Sequence, residues 1–218
     1  MMKIKTFQGG FDKNLSYIIW CESTRISGIV DASVDLTEIL ECIEANNLIM
    51  EKVFITHTHF DHINYLEDIK YQFPQIQVCG FNNPEEALGE NYRKLNHHEI
   101  IPLGSEMFTA LHTPGHYSDS MCFWNKKGNC VFTGDTMFVG RTGRTIGAKS
   151  NISHLYTSIY NELLKLPPKT IIYSGHHYGY KISITLKENI SLSSFFQCTS
   201  EDEFIAVMEK YEKNRRIS

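Results

Sequence analysis

The hydrophobic residues along this chain change their spacing repeatedly, and these changes predict alternating strands and helices. Short apolar or alternating runs bounded by glycine and polar residues are typical of strands, whereas apolar positions three and four residues apart are typical of helices. The two patterns alternate through the first third of the chain, which favours a layered α/β fold. The predicted strands cover residues 3–7, 15–20, 26–30, 53–55, 76–79, 107–111, 121–124, 130–133 and 170–174.

Helical spacing is clear in four segments. Residues 36–43 and 63–73 each place apolar side chains on one helical face, and the second segment must end before Pro74. A longer helix is predicted over residues 152–166, followed directly by two prolines. Ser200 and Glu203 have the spacing of a helix-capping pair, which predicts a closing helix over about residues 201–213. Because no repeat or long linker divides the sequence, we expect a single domain over residues 1–218.

Composition and charge exclude several classes of protein. The 218 residues are 42% hydrophobic, with 14 glycines and 6 prolines, which is the mixture of a globular domain. The 21 basic and 25 acidic residues give a net charge of −4, which does not favour binding to nucleic acid. The longest apolar run, residues 17–21, is far shorter than a membrane span of about 20 residues, and no signal-peptide pattern follows Met1. We therefore expect a cytoplasmic protein that binds neither nucleic acid nor membrane.

Three of the ten histidines fall within residues 56–62, at the end of a predicted strand. In extended backbone, residues i and i+2 point to the same side, so His57 and His59 can bind one ion. Asp61 and His62 follow where the chain turns into a helix, and they point toward a second position. This His-x-His-x-Asp-His pattern predicts ligands for more than one metal ion.

Three more candidate ligands, His116, Asp135 and His176, each follow an apolar strand in a glycine-containing turn. Glycine allows the backbone to bend sharply there, which brings the ligand out at the end of the strand. With the previous four they make seven ligands, enough for two ions that share the Asp135 carboxylate. The expected sets are His57, His59 and His116 at the first ion, and Asp61, His62 and His176 at the second.

The mixture of imidazole and carboxylate ligands restricts the identity of the metal. It suits zinc, iron or manganese, whereas calcium prefers oxygen ligands alone. We expect two divalent ions, with zinc as the first choice and iron or manganese as the alternatives. Seven ligands for two ions leave room for solvent, which favours a catalytic centre over a non-catalytic, metal-stabilised module.

The four ligand segments also occur in the order and approximate spacing of a known family. Residues 56–62, 113–116, 133–138 and 175–178 resemble the metallo-β-lactamase fold superfamily, in particular glyoxalase II (hydroxyacylglutathione hydrolase) and the related persulfide dioxygenases. The resemblance covers about residues 5 to 180. It implies an α/β (α+β) fold of the αββα type, a four-layer sandwich with the metals at one edge. Asp61 belongs to the hydrolase-type form of the motif rather than to the β-lactamase form.

The resemblance also implies substrate contacts. A basic residue beyond the bridging aspartate contacts the glutathione portion in glyoxalase II, and by motif this is Arg144; Arg141 in the same loop is a further expected contact. A tyrosine two residues past the last histidine matches Tyr178. Ile146 departs from the family, which has an aromatic residue there. Only 42 residues follow His176, so we expect no separate glyoxalase II C-terminal helical domain.

The function implied is hydrolysis of a glutathione-type thioester or related small ester by attack of metal-bound hydroxide on the carbonyl. Asp61 is then expected to orient the hydroxide, and Asp135 to hold the two ions together. One alternative is a mononuclear iron persulfide dioxygenase, in which His57, His116 and Asp135 leave open positions for oxygen. The other is the non-catalytic metal-stabilised module. In the first two readings the partner is a small molecule, and the sequence leaves the oligomeric state open.

Overall fold

The computed structural model describes residues 1–215 and contains two six-stranded sheets. The first sheet has the strand order β1-β2-β3-β4-β5-β6, and the second has the order β12-β11-β10-β9-β8-β7. The strands are β1 (Met2–Gly9), β2 (Asn14–Cys21), β3 (Ile26–Val30), β4 (Ile49–Phe54), β5 (Gln77–Phe81), β6 (Tyr92–Leu95), β7 (Ile100–Leu103), β8 (Glu106–His112), β9 (Met121–Asn125), β10 (Cys130–Gly134), β11 (Ile171–Ser174) and β12 (Ser183–Thr185).

Helices cover the outer face of each sheet. The first sheet packs against α1 and α3, and the second packs against α4, α5 and α6, so that each pair of layers encloses an apolar core. A third core, rich in aromatic side chains, lies between the two sheets. The result is the expected αββα sandwich. The helices are α1 (Thr37–Ala45), α2 (Phe60–Ile63), α3 (Leu66–Gln72), α4 (Ile152–Thr157), α5 (Leu186–Leu192) and α6 (Glu201–Arg215).

The layered arrangement explains why the central strands carry apolar residues on both faces. All five residues of β10 are buried. Val131 packs into the helix-covered core of the second sheet, whereas Phe132 packs between the sheets, because successive side chains of a strand point to opposite faces. A strand that is covered on both faces has no solvent-exposed side to carry polar residues.

The predicted long helix is less regular than its sequence pattern suggests. α4 continues into a π-helical segment, Ser158–Glu162, and a 3₁₀ turn, Leu163–Lys165. Its apolar face is nevertheless maintained, since Leu155, Ile159 and Leu163 are all buried in the same core. At the start of α6 the backbone amide of Glu203 donates to Ser200 Oγ over 3.2 Å, as the capping pattern predicts.

The fold brings the carboxyl ends of several strands to one edge of the sandwich. β10 and β11 are parallel neighbours, and β8 runs in the same direction because it is separated from β10 by one antiparallel strand. The two sheets are tied together at this edge by hydrogen bonds from Leu15 N to Gly175 O (2.8 Å) and from Met121 N to Thr56 O (2.6 Å). Over the described residues, no helix combines the length and the apolar character that crossing a membrane requires.

Candidate metal centre

Three imidazoles meet beyond the ends of β4 and β8. His57 and His59 lie in the extended segment after β4, and His116 lies in the turn after β8. His59 Nδ1 is 2.9 Å from His57 Nε2 and 3.1 Å from His116 Nε2. The structure therefore brings together the three residues predicted for the first ion, and it presents one nitrogen of each to a common point.

A second cluster lies beside the first. Asp61 and His62 are placed by the short helix α2, and His176 follows β11. His176 Nε2 lies 3.3 Å from both Asp61 Oδ2 and His62 Nε2. These are the three residues predicted for the second ion.

The Asp135 carboxylate lies between the two clusters. Its Oδ2 is 3.5 Å from His116 Nε2 in the first cluster and 3.4 Å from His176 Nε2 in the second, and its Oδ1 is 3.4 Å from His62 Nε2. Oδ1 is buried and has no hydrogen-bond partner among the described residues. A buried, unsatisfied carboxylate oxygen facing imidazoles is expected where a cation binds.

The spacing of the donor atoms fits divalent ions. A tetrahedral ion with nitrogen or oxygen ligands at about 2.0–2.2 Å has those ligands about 3.3–3.6 Å apart. The donor separations of 2.9–3.5 Å given above are close to that range. Several of them join two imidazole nitrogens, whose lone pairs would repel each other without a cation or a proton between them. The residues present therefore fit two metal ions.

Backbone carbonyls orient two of the histidines. His116 Nδ1 is 2.9 Å from Arg144 O, and His176 Nδ1 is 3.0 Å from Asp12 O. A carbonyl only accepts, so each Nδ1 carries a proton and each Nε2 is the atom directed toward the cluster. This is the arrangement by which neighbouring groups prepare histidine ligands for a metal.

A buried aspartate, Asp31, orients a further histidine, His62. The sequence patterns above did not identify Asp31 as a functional residue. Asp31 Oδ2 is 2.9 Å from His62 Nδ1. The same carboxylate accepts hydrogen bonds from Thr56 N and Thr56 Oγ1, both over 2.7 Å. Asp31 directly follows the apolar strand β3, as Asp135 follows β10, and this shared position was the signal that could have identified it.

Two more buried polar residues support the centre. Asn14 Nδ2 donates to Asp61 Oδ2 over 2.9 Å. Asp119 accepts from Thr58 N over 3.2 Å and from Thr58 Oγ1 over 2.5 Å, which anchors the residue between His57 and His59. Asn14 is the first residue of β2 and Asp119 lies in a turn, and nothing in the local sequence pattern distinguishes them from other polar residues.

Two positions at this edge must be glycine, because neighbouring side chains approach their backbone closely. Gly134 has a φ of +48°, and a Cβ there would collide with the Thr56 side chain. A Cβ on Gly175 would collide with Asp135 Oδ1 and with the His62 ring. Only glycine allows the backbone to pass so near the bridging carboxylate.

The charges of the second cluster stabilise one another. Burial alone lowers the pKa of His176, but the Asp135 charge and the hydrogen bonds that His176 donates to the Asp135 and Asp61 carboxylates raise it to about 9. Burial likewise opposes the charged form of His62, and Asp135 and Asp31 raise its pKa well above the usual range. In turn, His176 and His62 outweigh the effect of burial on Asp135 and hold its pKa well below the ordinary value.

In the first cluster, by contrast, the pKa values of two histidines are lowered. Burial and the neighbouring His62 hold the pKa of His57 well below the usual value. Burial and His116 lower the pKa of His59 to about 4. Both rings are therefore neutral at pH 7, which is the form that binds a metal.

A pocket of about 190 Å³ opens onto the two clusters, and the predicted substrate residues line it. Tyr178 stacks on His176, with ring centres 4.8 Å apart and planes 6° apart, and its hydroxyl donates to Asp12 Oδ2 over 2.6 Å. The Arg141 guanidinium lies 3.9 Å from the centre of the Tyr178 ring, and its Nη1 donates to the Tyr211 hydroxyl. These aromatic and cationic groups form one wall of the pocket.

Arg144 also lines the pocket, and its side chain already has a partner. Its Nε and Nη2 donate to Glu212 Oε1 and Oε2 of α6, each over 3.0 Å. Ile146, which departs from the family pattern, is 55% exposed and does not line the pocket. No local sequence pattern indicates the Arg144–Glu212 pair, because the two residues are 68 positions apart in the chain.

Comparison with known proteins agrees with this geometry. The family model of the metallo-beta-lactamase superfamily matches residues 9–176. The chain belongs to this superfamily. Membership implies divalent metal binding, and the His and Asp clusters are the candidate sites. The predicted resemblance and fold class are thereby confirmed.

Individual superfamily members are similar over most of the chain. The probable hydroxyacylglutathione hydrolase glo2 of Schizosaccharomyces pombe (strain 972) is 32% identical over 197 residues, which cover 88% of this chain and 72% of that protein. A second probable hydroxyacylglutathione hydrolase of the same organism is 30% identical over 174 residues, with coverages of 78% and 66%. The crystal structure of ETHE1 from Myxococcus xanthus has a TM-score of 0.85 and 29% identity, and the match covers 95% of this chain and 90% of that one.

Proposed function

We propose that this protein is a single-domain, cytoplasmic metal-dependent hydrolase that holds two divalent ions and cleaves a glutathione-type thioester or related small ester. Zinc is the expected metal. The observation that carries the proposal is the position of Asp135, whose carboxylate lies within 3.5 Å of His116 in one cluster and within 3.4 Å of His62 and His176 in the other. A carboxylate shared in this way suits a two-ion centre.

The roles of the protein groups follow from their positions. When bound, the ions would polarise an acyl oxygen and lower the pKa of water enough to supply hydroxide near neutral pH. His57, His59 and His116 would hold one ion, Asp61, His62 and His176 the other, and Asp135 both. Asp61 lines the pocket, and Asn14 fixes its Oδ2, so we assign Asp61 to orienting the nucleophile.

The pocket wall also contains groups that are suited to binding an anionic substrate. Arg141, Arg144 and Tyr178 line the same cavity as Asp61 and Asp135. Arginine donates paired hydrogen bonds to a carboxylate, so these arginines are suited to the carboxylates of a thiol carrier such as glutathione. The names of the two Schizosaccharomyces pombe relatives support the same substrate class.

A persulfide dioxygenase with one iron is the second candidate. ETHE1 is a persulfide dioxygenase, and its structural similarity to this chain favours the same activity. That match covers 95% of this chain and 90% of that one. His57, His116 and Asp135 would then hold the single iron. The two candidates share a fold, and the three iron ligands are among the seven ligands of the two-ion centre, so the candidates must be separated by metal content and reaction.

The deciding experiment measures metals and two activities on protein purified without added metal. About two zinc ions per chain, with hydrolysis of a glutathione thioester, are expected for the proposed function. About one iron per chain, with oxygen uptake in the presence of glutathione persulfide, would establish the dioxygenase instead. A metal-loaded protein that has neither activity would be a non-catalytic module. Asp61→Ala is the variant to compare with the unaltered protein. If it loses activity, the reaction takes place at this centre.

A further inference from the structure

The ion pair between Arg144 and Glu212 joins the pocket to the C-terminal helix. Glu212 binds the edge of the guanidinium that carries Nε and Nη2, with both distances at 3.0 Å. Arg144 lines the pocket, whereas Glu212 does not. Glu212 therefore holds the guanidinium from a position outside the pocket lining, through the edge that carries Nε and Nη2.

A second edge of the guanidinium stays available. The group has five N–H donors in a fixed plane, and Glu212 uses one on Nε and one on Nη2. One N–H of Nη1 and the remaining N–H of Nη2 form the other fork, and Nη1 donates to no acceptor among residues 1–215. A fork of this shape matches a carboxylate.

We infer that Glu212 is a positioning residue that holds Arg144 so that its Nη1 and Nη2 edge receives a carboxylate of the substrate's thiol carrier. The inference rests on the proposed function, from which it takes the carboxylated carrier. Without Glu212, the Arg144 side chain would lose conformational entropy when substrate binds. Glu212 restricts that side chain before substrate binds, so less entropy is lost on binding. The carboxylate of Glu212 thus aids anion binding although it carries the same charge as the substrate.

The packing of α6 keeps Glu212 in this position. Phe204 and Met208 bury its apolar face in the core of the second sheet. Tyr211, the neighbour of Glu212, accepts a hydrogen bond from Arg141, the other arginine of the pocket wall. Because the apolar contacts anchor the helix, Glu212→Gln should change the ion pair without unfolding α6.

Calorimetric titration of the zinc-loaded protein tests the inference. The probes are S-methylglutathione, which has two carboxylates and no free thiol to bind zinc, and its diethyl ester, which has neither carboxylate. Glu212→Gln should weaken binding of S-methylglutathione about 2- to 12-fold, the cost of immobilising one long side chain, and should leave the diester unchanged. In an Arg144→Ala background the same change should have no further effect. Glu209→Gln, on an exposed residue of α6, is the matched control.

Several results would overturn the inference. Tighter binding of S-methylglutathione by Glu212→Gln would mean that Glu212 competes with the carboxylate. Equal loss on both probes, or a loss that persists without Arg144, would mean a merely structural role. Equal binding of both probes by the unaltered protein would exclude a carboxylate contact. Thioester hydrolysis is measured separately, so an inactive protein with the expected binding pattern would count against the reaction and not against Glu212.

Discussion

Asp31 Oδ2 lies 2.9 Å from His62 Nδ1, and both side chains are almost fully buried. The pair links two sheet-edge segments, because the same carboxylate also receives the backbone amide of Thr56. It leaves the His62 Nε2 atom to face Asp135 and His176. Asp31 thus acts on the centre through a histidine rather than through a metal.

Asp31→Asn should weaken zinc binding about 10- to 100-fold, as is typical when a group that orients a histidine ligand is changed. The asparagine amide nitrogen donates and cannot accept, so one amide oxygen would have to replace both carboxylate oxygens that serve His62 and Thr56, and the ring loses its fixed tautomer. Competition with a chelator measures the affinity. Asp35→Asn, on an exposed carboxylate of the same segment, is the control, and equal affinities in both variants would contradict the role of Asp31.

His59→Ala and Asp135→Ala should each lose bound metal and abolish turnover. His59 lies within 3.1 Å of two other donor atoms and Asp135 within 3.5 Å of three, and without the ions no activated water forms. Metal analysis and a thioester assay on the purified variants check this. His154→Ala, on an exposed histidine outside the clusters, should keep both properties. Full metal content and normal activity in either ligand variant would show that the ligands are misassigned.

Removing metal should lower the thermal stability of the protein. Binding stabilises the folded state by about 2.7 kcal/mol when free metal is about 100 times its Kd, which for a chain of this size is a Tm difference of about 5–11 °C. Differential scanning fluorimetry with zinc and with excess chelator measures the difference. An unchanged Tm in both conditions, with metal content verified, would argue against a buried two-ion centre.

Zinc affinity should rise with pH up to about pH 9. Burial lowers the pKa of His176, but Asp135 and Asp61 raise it to about 9 in the metal-free protein, so zinc must displace a proton at neutral pH. The same proton stabilises the metal-free fold below the unfolded-state pKa of about 6.5, and this contribution is lost as the pH rises through about 9. Chelator competition across that pH range, corrected for the chelator's own protonation, measures the trend. A flat profile would contradict it.

Arg144→Ala should raise KM for a glutathione thioester about 10- to 150-fold and leave kcat nearly unchanged, since one charge-assisted contact contributes about 1.5–3 kcal/mol. Metal content should not change, because the backbone carbonyl that accepts from His116 remains. Arg144→Lys should restore only part of the loss, as lysine lacks the planar fork. An uncharged thioester is the control substrate, and equal losses on both would assign Arg144 to loop structure.

Much of the fold and centre could be predicted because the relevant signals are local. The i, i+2 spacing of His57 and His59 follows from strand geometry, and a polar residue after a buried apolar strand marks the common sheet edge. The missed strands, β6, β7 and β12, each lie at an edge of a sheet. Edge strands are short and partly polar, and β7 contains Pro102, so their patterns resemble loops.

The sequence by itself determined the layered α/β class, and it predicted the seven candidate ligands and their division into two sets, because residue type and periodicity suffice for these. The tertiary structure alone decided which groups support them. Asp31 meets His62 across 31 positions of the chain, and Arg144 meets Glu212 across 68. No local pattern encodes such pairs, because they form only when packing of the sheets and α6 brings distant segments into hydrogen-bond distance.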